Sequence, residues 1–239
     1  MTASPTLDAG DFLDHLRAAI GARAKDGPVR RAYERVVNAL PENAGMDATR
    51  STRHPACAHL NDCYGNLETA DLPVRQLGDA FRSIEPILPW ARSHRASAAP
   101  LAETYAGALI VGRGGAVESD RVQVGVSLMA PGIAFPDHQH PPEEVYIALS
   151  PGQWRQNADP RVEPGIGGLI SNPPPIPAFL RPGRAPGLPL RRLDQQQLAF
   201  LLAQTSHANQ PRRSGRCKRG ALVETALQAT MHDLDLAPM

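Results

Sequence analysis

The chain has 239 residues, 42% hydrophobic and 21% charged, with a formal net charge of +1. That length is enough to bury a substantial core, as one large all-β or α+β domain or as a barrel with a helical appendage. The near-neutral balance excludes any general attraction to nucleic acid or to a membrane surface, so partners must be argued from individual sites. The opening "MTASPTLDAGDFLDHL" has no basic segment followed by an apolar run, and no window reaches bilayer-spanning length. A cytoplasmic protein with neither a membrane nor a nucleic-acid partner is expected. Cys57, Cys63 and Cys217 are too few and too unevenly placed for a disulfide framework, in keeping with a reducing compartment.

Three helices are predicted in the first 95 residues. Phe12, Leu16 and Ile20 recur every four residues, with Asp11 as N-cap. Beyond Gly27-Pro28, Val29, Ala32, Tyr33, Val36, Val37 and Leu40 keep the helical period until Pro41 and Asn43. Val74, Leu77, Phe81 and Ile84 mark a third helix that Pro86 and Pro89 end. Between these, His54, Cys57, His59 and Cys63 have the residue types of a zinc knuckle, but their spacing fits no structural zinc pattern, and partly buried cysteines are expected instead.

From about residue 96 the texture changes to short apolar runs closed by glycine or proline: "GALIVG", then "RVQVGVSLMAPG" with Val122, Val124, Val126 and Leu128 in alternation, then "EVYIALSPG". Strands at this spacing predict a small antiparallel barrel or sandwich over 96–176. The remaining segment, 177–239, is atypical. Its prolines are too dense for a central strand, "DQQQLAFLLAQ" reads as a short helix, and "ALVETALQATMHDLDLA" as a weak terminal one. The basic run Arg212, Arg213, Arg216, Lys218 and Arg219 lacks interleaved aromatics and reads as a solvated tail.

The chemistry concentrates in "PGIAFPDHQHPPEEVYIALSPG", residues 131–152. His138 and His140 share one side of an extended strand, and Glu144 and Tyr146 share theirs. Pro141-Pro142 bends the chain between the two pairs, returning Glu144 toward the histidines. Two imidazoles and a carboxylate form a ligand set suited to zinc, iron, manganese or nickel with positions open for a substrate. Glu143, of opposite parity, is expected to face outward or to orient a histidine.

Gly132, His138, His140 and Glu144 in the spacing G-x5-H-x-H-x3-E resemble the first motif of cupins, although the closing glycine arrives one place late, at Gly152. More narrowly, "SDRVQVGVSLMAPGIAFPDHQHPPEEVYIALSPGQWRQ" and "EPGIGGLISNPP" are similar to cupin-type dimethylsulfoniopropionate (DMSP) lyases, whose first motif is H-x-H-x3-E-x-Y. The resemblance implies an α+β fold, an N-terminal helical region followed by a cupin-like antiparallel β-barrel. It implies a carbon–sulfur lyase that cleaves DMSP to dimethyl sulfide and acrylate, with a divalent metal on His138, His140 and Glu144 and Tyr146 as the base. Phe135, Trp154 and Tyr105 can wall the sulfonium by cation–π contact, although core packing accounts for each taken singly. The implied partner is a small sulfonium carboxylate, and a homodimer is left open. Another cupin metalloenzyme, a dioxygenase or isomerase, and a non-catalytic binding cupin stay as alternatives, since the motif alone does not encode the substrate.

The chain also departs from that family. A fourth ligand, a histidine, is expected a few residues after a segment like "NPP", where this chain has Pro177 and Ala178. No histidine occurs between His140 and His207. Phe135 stands where these lyases often carry a tyrosine. Three readings compete: His207 or His232 folds back to supply the ligand, the protein is a metal-poor or metal-free binding module, or the reading frame has shifted near residue 173. The last leaves the barrel incomplete at its C-terminal side.

Overall fold

The computed structural model describes residues 8–92, 101–135, 143–155 and 160–172, with the backbone of 197–204. Helix α1, Gly10–Gly21, buries Phe12, Leu13, Leu16, Ala19 and Ile20 along one stripe. Its start differs from the sequence expectation. An isolated bridge between Asp8 and Gly45 precedes the helix, whose N-cap is Ala9 and not Asp11, and Asp8 Oδ1 accepts the Gly10 N–H at 2.6 Å. Asp11 stands inside the first turn, 3.4 Å from His15 Nε2. Helix α2, Pro28–Val37, follows a Gly27 at φ 123, a conformation open to glycine, and Pro28 occupies the position where a missing N–H costs nothing. It buries Ala32, Tyr33 and Val36.

A short helix not anticipated from the sequence, α3 (Leu60–Asn66), leaves a 3-10 turn at Pro55–His59. Helix α4, Leu72–Ile84, buries the expected Val74, Leu77, Phe81 and Ile84. Asp71 caps it, accepting the Val74 N–H at 3.3 Å. The Arg23 guanidinium paired with Asp71, helped by that N–H, holds the carboxyl below the usual range. A 3-10 turn at Glu85–Ile87 ends the helical layer, and one further turn of helix, α5 (Leu101–Thr104), leads into the sheet.

The strands are β1 (Tyr105–Val111), β2 (Val122–Met129), β3 (Glu144–Ala148), β4 (Leu169–Asn172) and β5 (Gln197–Gln204). They form an antiparallel sheet in the order β1-β2-β5-β3-β4. Among the described residues the expected barrel is therefore an open five-stranded sheet with β1 and β4 at its edges. Ala106, Ala108, Val122, Val124, Val126, Leu128 and Ile147 turn to the helices and join Phe12, Leu16, Leu77 and Phe81 in one core cluster. The valine, leucine, isoleucine and phenylalanine side chains among them each contribute roughly 1.5–3 kcal/mol on burial, so helices and sheet stand on the same hydrophobic support.

Strand β5 corrects one expectation: the segment predicted as a helix is extended. Leucine, alanine and glutamine favour a helix in isolation. Here both edges of the backbone are taken up, by β2 from Val122↔Gln204 to Met129↔Gln197 and by β3 from Glu144↔Ala203 to Ala148↔Ala199. Pairing on two sides outweighs the local preference. The weak terminal helix and the basic run lie outside the described residues, and no described helix is long and apolar enough to cross a membrane.

Candidate functional site

The sheet's second face is set by strand parity. Register places Tyr105, Gly107, Gln123, Gly125, Ser127, Glu144, Tyr146 and Asn172 on the side away from the helices. Most of these are half-buried, whereas Glu144 is 3% exposed. A carboxylate that deep requires hydrogen-bond partners. Two are neutral donors: Tyr146 Oη donates a hydrogen bond to Glu144 Oε2 at 2.9 Å, and Asn172 Nδ2 donates to the same oxygen at 3.3 Å. Tyr146 is two residues along β3, and Asn172 lies directly across the ladder on β4. The pairing that builds the sheet thus builds this cluster.

Aromatic side chains flank it. Tyr146 lies with its ring centroid 5.1 Å from that of Trp154, at 52°. Trp154 is held by two backbone hydrogen bonds with Val162, of 2.9 and 2.8 Å, and its Nε1 is buried without a hydrogen-bond partner among the described residues. Tyr105 and Phe135 pack at 4.5 Å and 43°, with Tyr105 opposite Met129 at the end of β1. The structure therefore forms two aromatic pairs, Tyr146 with Trp154 and Tyr105 with Phe135.

Of the expected metal ligands, Glu144 is placed as described, while His138 and His140 lie outside the described residues, as do Pro177 and Ala178. Among the described residues no group of three or more His, Cys, Asp or Glu side chains stands close enough to hold a metal. Glu143 is turned to the helical layer, where it pairs with Arg35 of α2. Sequence reasoning missed Asn172 and Arg35, because both reach the site across the fold. The one signal for Asn172 was its position at the end of "LISN", before the proline run.

The His54, Cys57, His59 and Cys63 group serves the helical layer. His54 Nδ1 accepts the Ala56 N–H at 3.2 Å, and Nε2 lies 3.0 Å from the Ala102 carbonyl, so both ring nitrogens are engaged. Burial pushes the Cys57 thiol up, and it pushes Cys63 up to about 12 against an opposing hydrogen bond with Ser150. Both sulfurs are thiols at neutral pH, poor metal ligands and poor nucleophiles.

Comparison with known proteins agrees with this architecture. Residues 29–189 match the family model described as "Dimethlysulfonioproprionate lyase". The chain is 29% identical over 114 residues to the dimethylsulfoniopropionate lyase DddQ of Ruegeria pomeroyi, covering 47% of this chain and 55% of that protein. The match thus spans about half of DddQ's length. It is 28% identical over 171 residues to the putative dimethylsulfoniopropionate lyase DddL of Cereibacter sphaeroides, covering 68% and 72%. Two solved structures share the fold. One, from work on the DMSP lyases RdDddP and RnDddQII, has a TM-score of 0.59 at 16% identity and covers 87% of this chain and 97% of that one. The other, DddQ from Ruegeria pomeroyi, has a TM-score of 0.56 at 18% identity and covers 86% and 98%. With more than half of its residues inside the family model, the chain belongs to the dimethylsulfoniopropionate lyase family.

Proposed function

We propose that this chain is a carbon–sulfur lyase that cleaves dimethylsulfoniopropionate into dimethyl sulfide and acrylate, on a cupin barrel completed around the described sheet. The observation that carries the reading is the hydrogen bond from Tyr146 to the buried Glu144 on one face of β3. It joins a candidate base to a candidate ligand in a chain of this family. The donor set fits a cation: Glu144 is a buried carboxylate on the same face as Tyr146, and carboxylate and imidazole together are ligands that divalent zinc, iron, manganese and nickel accept. In this reading His138, His140 and Glu144 hold a divalent zinc, iron, manganese or nickel ion. When bound it would supply Lewis-acid stabilisation of the charge that builds at the substrate carboxylate.

The chain's own side chains do the rest. The phenol of Tyr146 would release its proton to solvent with a divalent cation beside it, which lowers its pKa, and Tyr146 Oη then takes the proton from the carbon next to the carboxylate. The released electron pair becomes the carbon–carbon double bond of acrylate, and the carbon–sulfur bond breaks with its pair leaving on sulfur as neutral dimethyl sulfide. Tyr146 is left as a phenol and returns its proton to solvent before the next turnover. The Tyr146–Trp154 and Tyr105–Phe135 pairs offer electron-rich faces to the sulfonium. With Pro177 and Ala178 in place of a second-motif histidine, the reading includes weak metal binding and slow turnover, since ligand losses lower affinity steeply.

Headspace analysis of the purified protein mixed with the substrate, with and without added divalent metal, tests the proposal. Metal-dependent release of dimethyl sulfide is expected. Failure to release it under every metal, with thermal stability still raised by a carboxylate ligand, favours a binding module instead.

The floor of the face makes a further prediction. Among the described residues, a Cβ built at Gly107 or Gly125 would meet only a backbone carbonyl at 3.5 Å, an ordinary contact, and neither residue has positive φ. The backbone does not require glycine there, yet glycine weakens a strand; such positions mark close approach by something else. Gly125 lies in the same cross-strand row as Tyr146. Gly125→Val is therefore expected to leave the melting temperature unchanged or raised while KM rises about tenfold or more. An unchanged KM would show that the space above Gly125 is not used by substrate.

A further inference from the structure

We propose that the Arg35–Glu143 ion pair is a positioning device that decides which of two adjacent carboxylates, Glu143 or Glu144, is presented on the site face. The inference rests on the reading of Glu144 as a cation ligand. Successive residues of a strand point to opposite faces, so whatever holds Glu143 on one side presents Glu144 on the other. A slip or fraying by one residue exchanges their roles.

The start of β3 is where such an exchange is easiest. The strand begins at Glu144, whose pairing with Asn172 and Ala203 is the first rung of both ladders. Pro141 and Pro142 precede it and have no N–H with which to extend the ladder backward. Further along, Val145 and Ile147 are buried, and Ile147 belongs to the apolar core cluster, but Glu143 lies ahead of the first rung. What pins it comes from the helical layer: Arg35, near the end of α2, pairs with Glu143 Oε2. Helix α2 packs against both β3 and β5. It is itself tied to α1 by Tyr33 Oη donating to the Arg17 carbonyl at 2.8 Å. The guanidinium is thus presented from a braced helix.

The magnitudes separate a positioning role from a structural one. The two side chains are 45% and 24% exposed, and an ion pair that open to water adds little to global stability. Its loss should be visible at the cation site and nearly invisible in unfolding. With the pair intact, Glu143 is occupied by a permanent cation and does not compete with Glu144. Without it, a second carboxylate is released next to the first, and the strand end frays.

The test uses the full chain and Co²⁺ as a spectroscopic probe, titrated by its visible absorption against a competing chelator. Arg35→Met and Glu143→Gln are each expected to lower Co²⁺ affinity about tenfold, in the range for groups that orient ligands. Melting temperature should stay within about 2 °C. The exchanged pair R35E/E143R should restore affinity to near wild type. Wild-type affinity in Arg35→Met, or a loss that the exchanged pair fails to rescue, overturns the inference while leaving the metal site standing. A wild-type chain that takes up no Co²⁺ overturns the metal site itself and this inference with it.

Discussion

Tyr146→Phe is expected to lower dimethyl sulfide release about 10²- to 10⁴-fold, the usual contribution of a general base, while metal content stays at the wild-type level. The substitution removes the one atom assigned to the proton and little else. The phenyl ring can keep its 5.1 Å packing on Trp154, and Glu144 Oε2 keeps Asn172 as a donor. Glu144→Ala is the complementary variant. It removes the carboxylate on which both donors converge, so metal and activity should be lost together. Headspace gas chromatography and metal analysis on the same two preparations decide the matter. Equal loss of metal from both variants would show that Tyr146 acts as a ligand or a support, and its assignment as base would fail.

Phe81→Ala should destabilise the fold by about 3–5 kcal/mol, the range for emptying a fully packed aromatic position. Phe81 is 0% exposed, with its ring 6.2 Å from that of Phe12 on α1 and 6.4 Å from that of Tyr64 on α3. It belongs to the same apolar cluster as Val124 and Ile147 of the sheet. The cavity is therefore not confined to the helical layer. Urea unfolding followed by far-ultraviolet dichroism and by tryptophan fluorescence should give one transition, moved equally in both signals. Two separate transitions, with only the first moved, would mean that the helices and the sheet are independent units. Because Val145 and Ile147 alternate along β3 with Glu144 and Tyr146, loss of packing beneath the sheet also loosens the groups above it.

Helices α1, α2 and α4 were legible because their apolar residues recur at the helical period; α1 and α4 bury the residues that the period picks out, while α2 buries Ala32, Tyr33 and Val36 and ends at Val37, short of the expected Leu40. Strand β2 was legible for the corresponding reason at period two. Helix α3 was not: its seven residues, "LNDCYGN", hold too few turns to show a period, and glycine and asparagine weaken any propensity signal. Strand β5 was misread because "QLAFLLAQ" has no β-branched residue, and its extended form comes from neighbours distant in the chain. At the site, Glu144 and Tyr146 could be paired by parity within one strand. Asn172 and Arg35 could not, since nothing local tells which residue will stand across a ladder or at the end of a facing helix. Asp11 was misassigned as a cap because the bridge from Asp8 to Gly45, which sets where α1 begins, is also a tertiary contact.

The placement of β5 between β2 and β3 has a consequence for biogenesis. As the polypeptide leaves the ribosome, β1 and β2 can join as one hairpin and β3 and β4 as another, but among the described strands none yet pairs the two. Until β5 is made, β2 and β3 each present an open edge able to pair with the wrong chain. Synthesis arrested before residue 197 should therefore leave two half-sheets with no seam, poorly soluble and exposed to proteolysis. Supplying the missing segment in trans would amount to inserting a keystone.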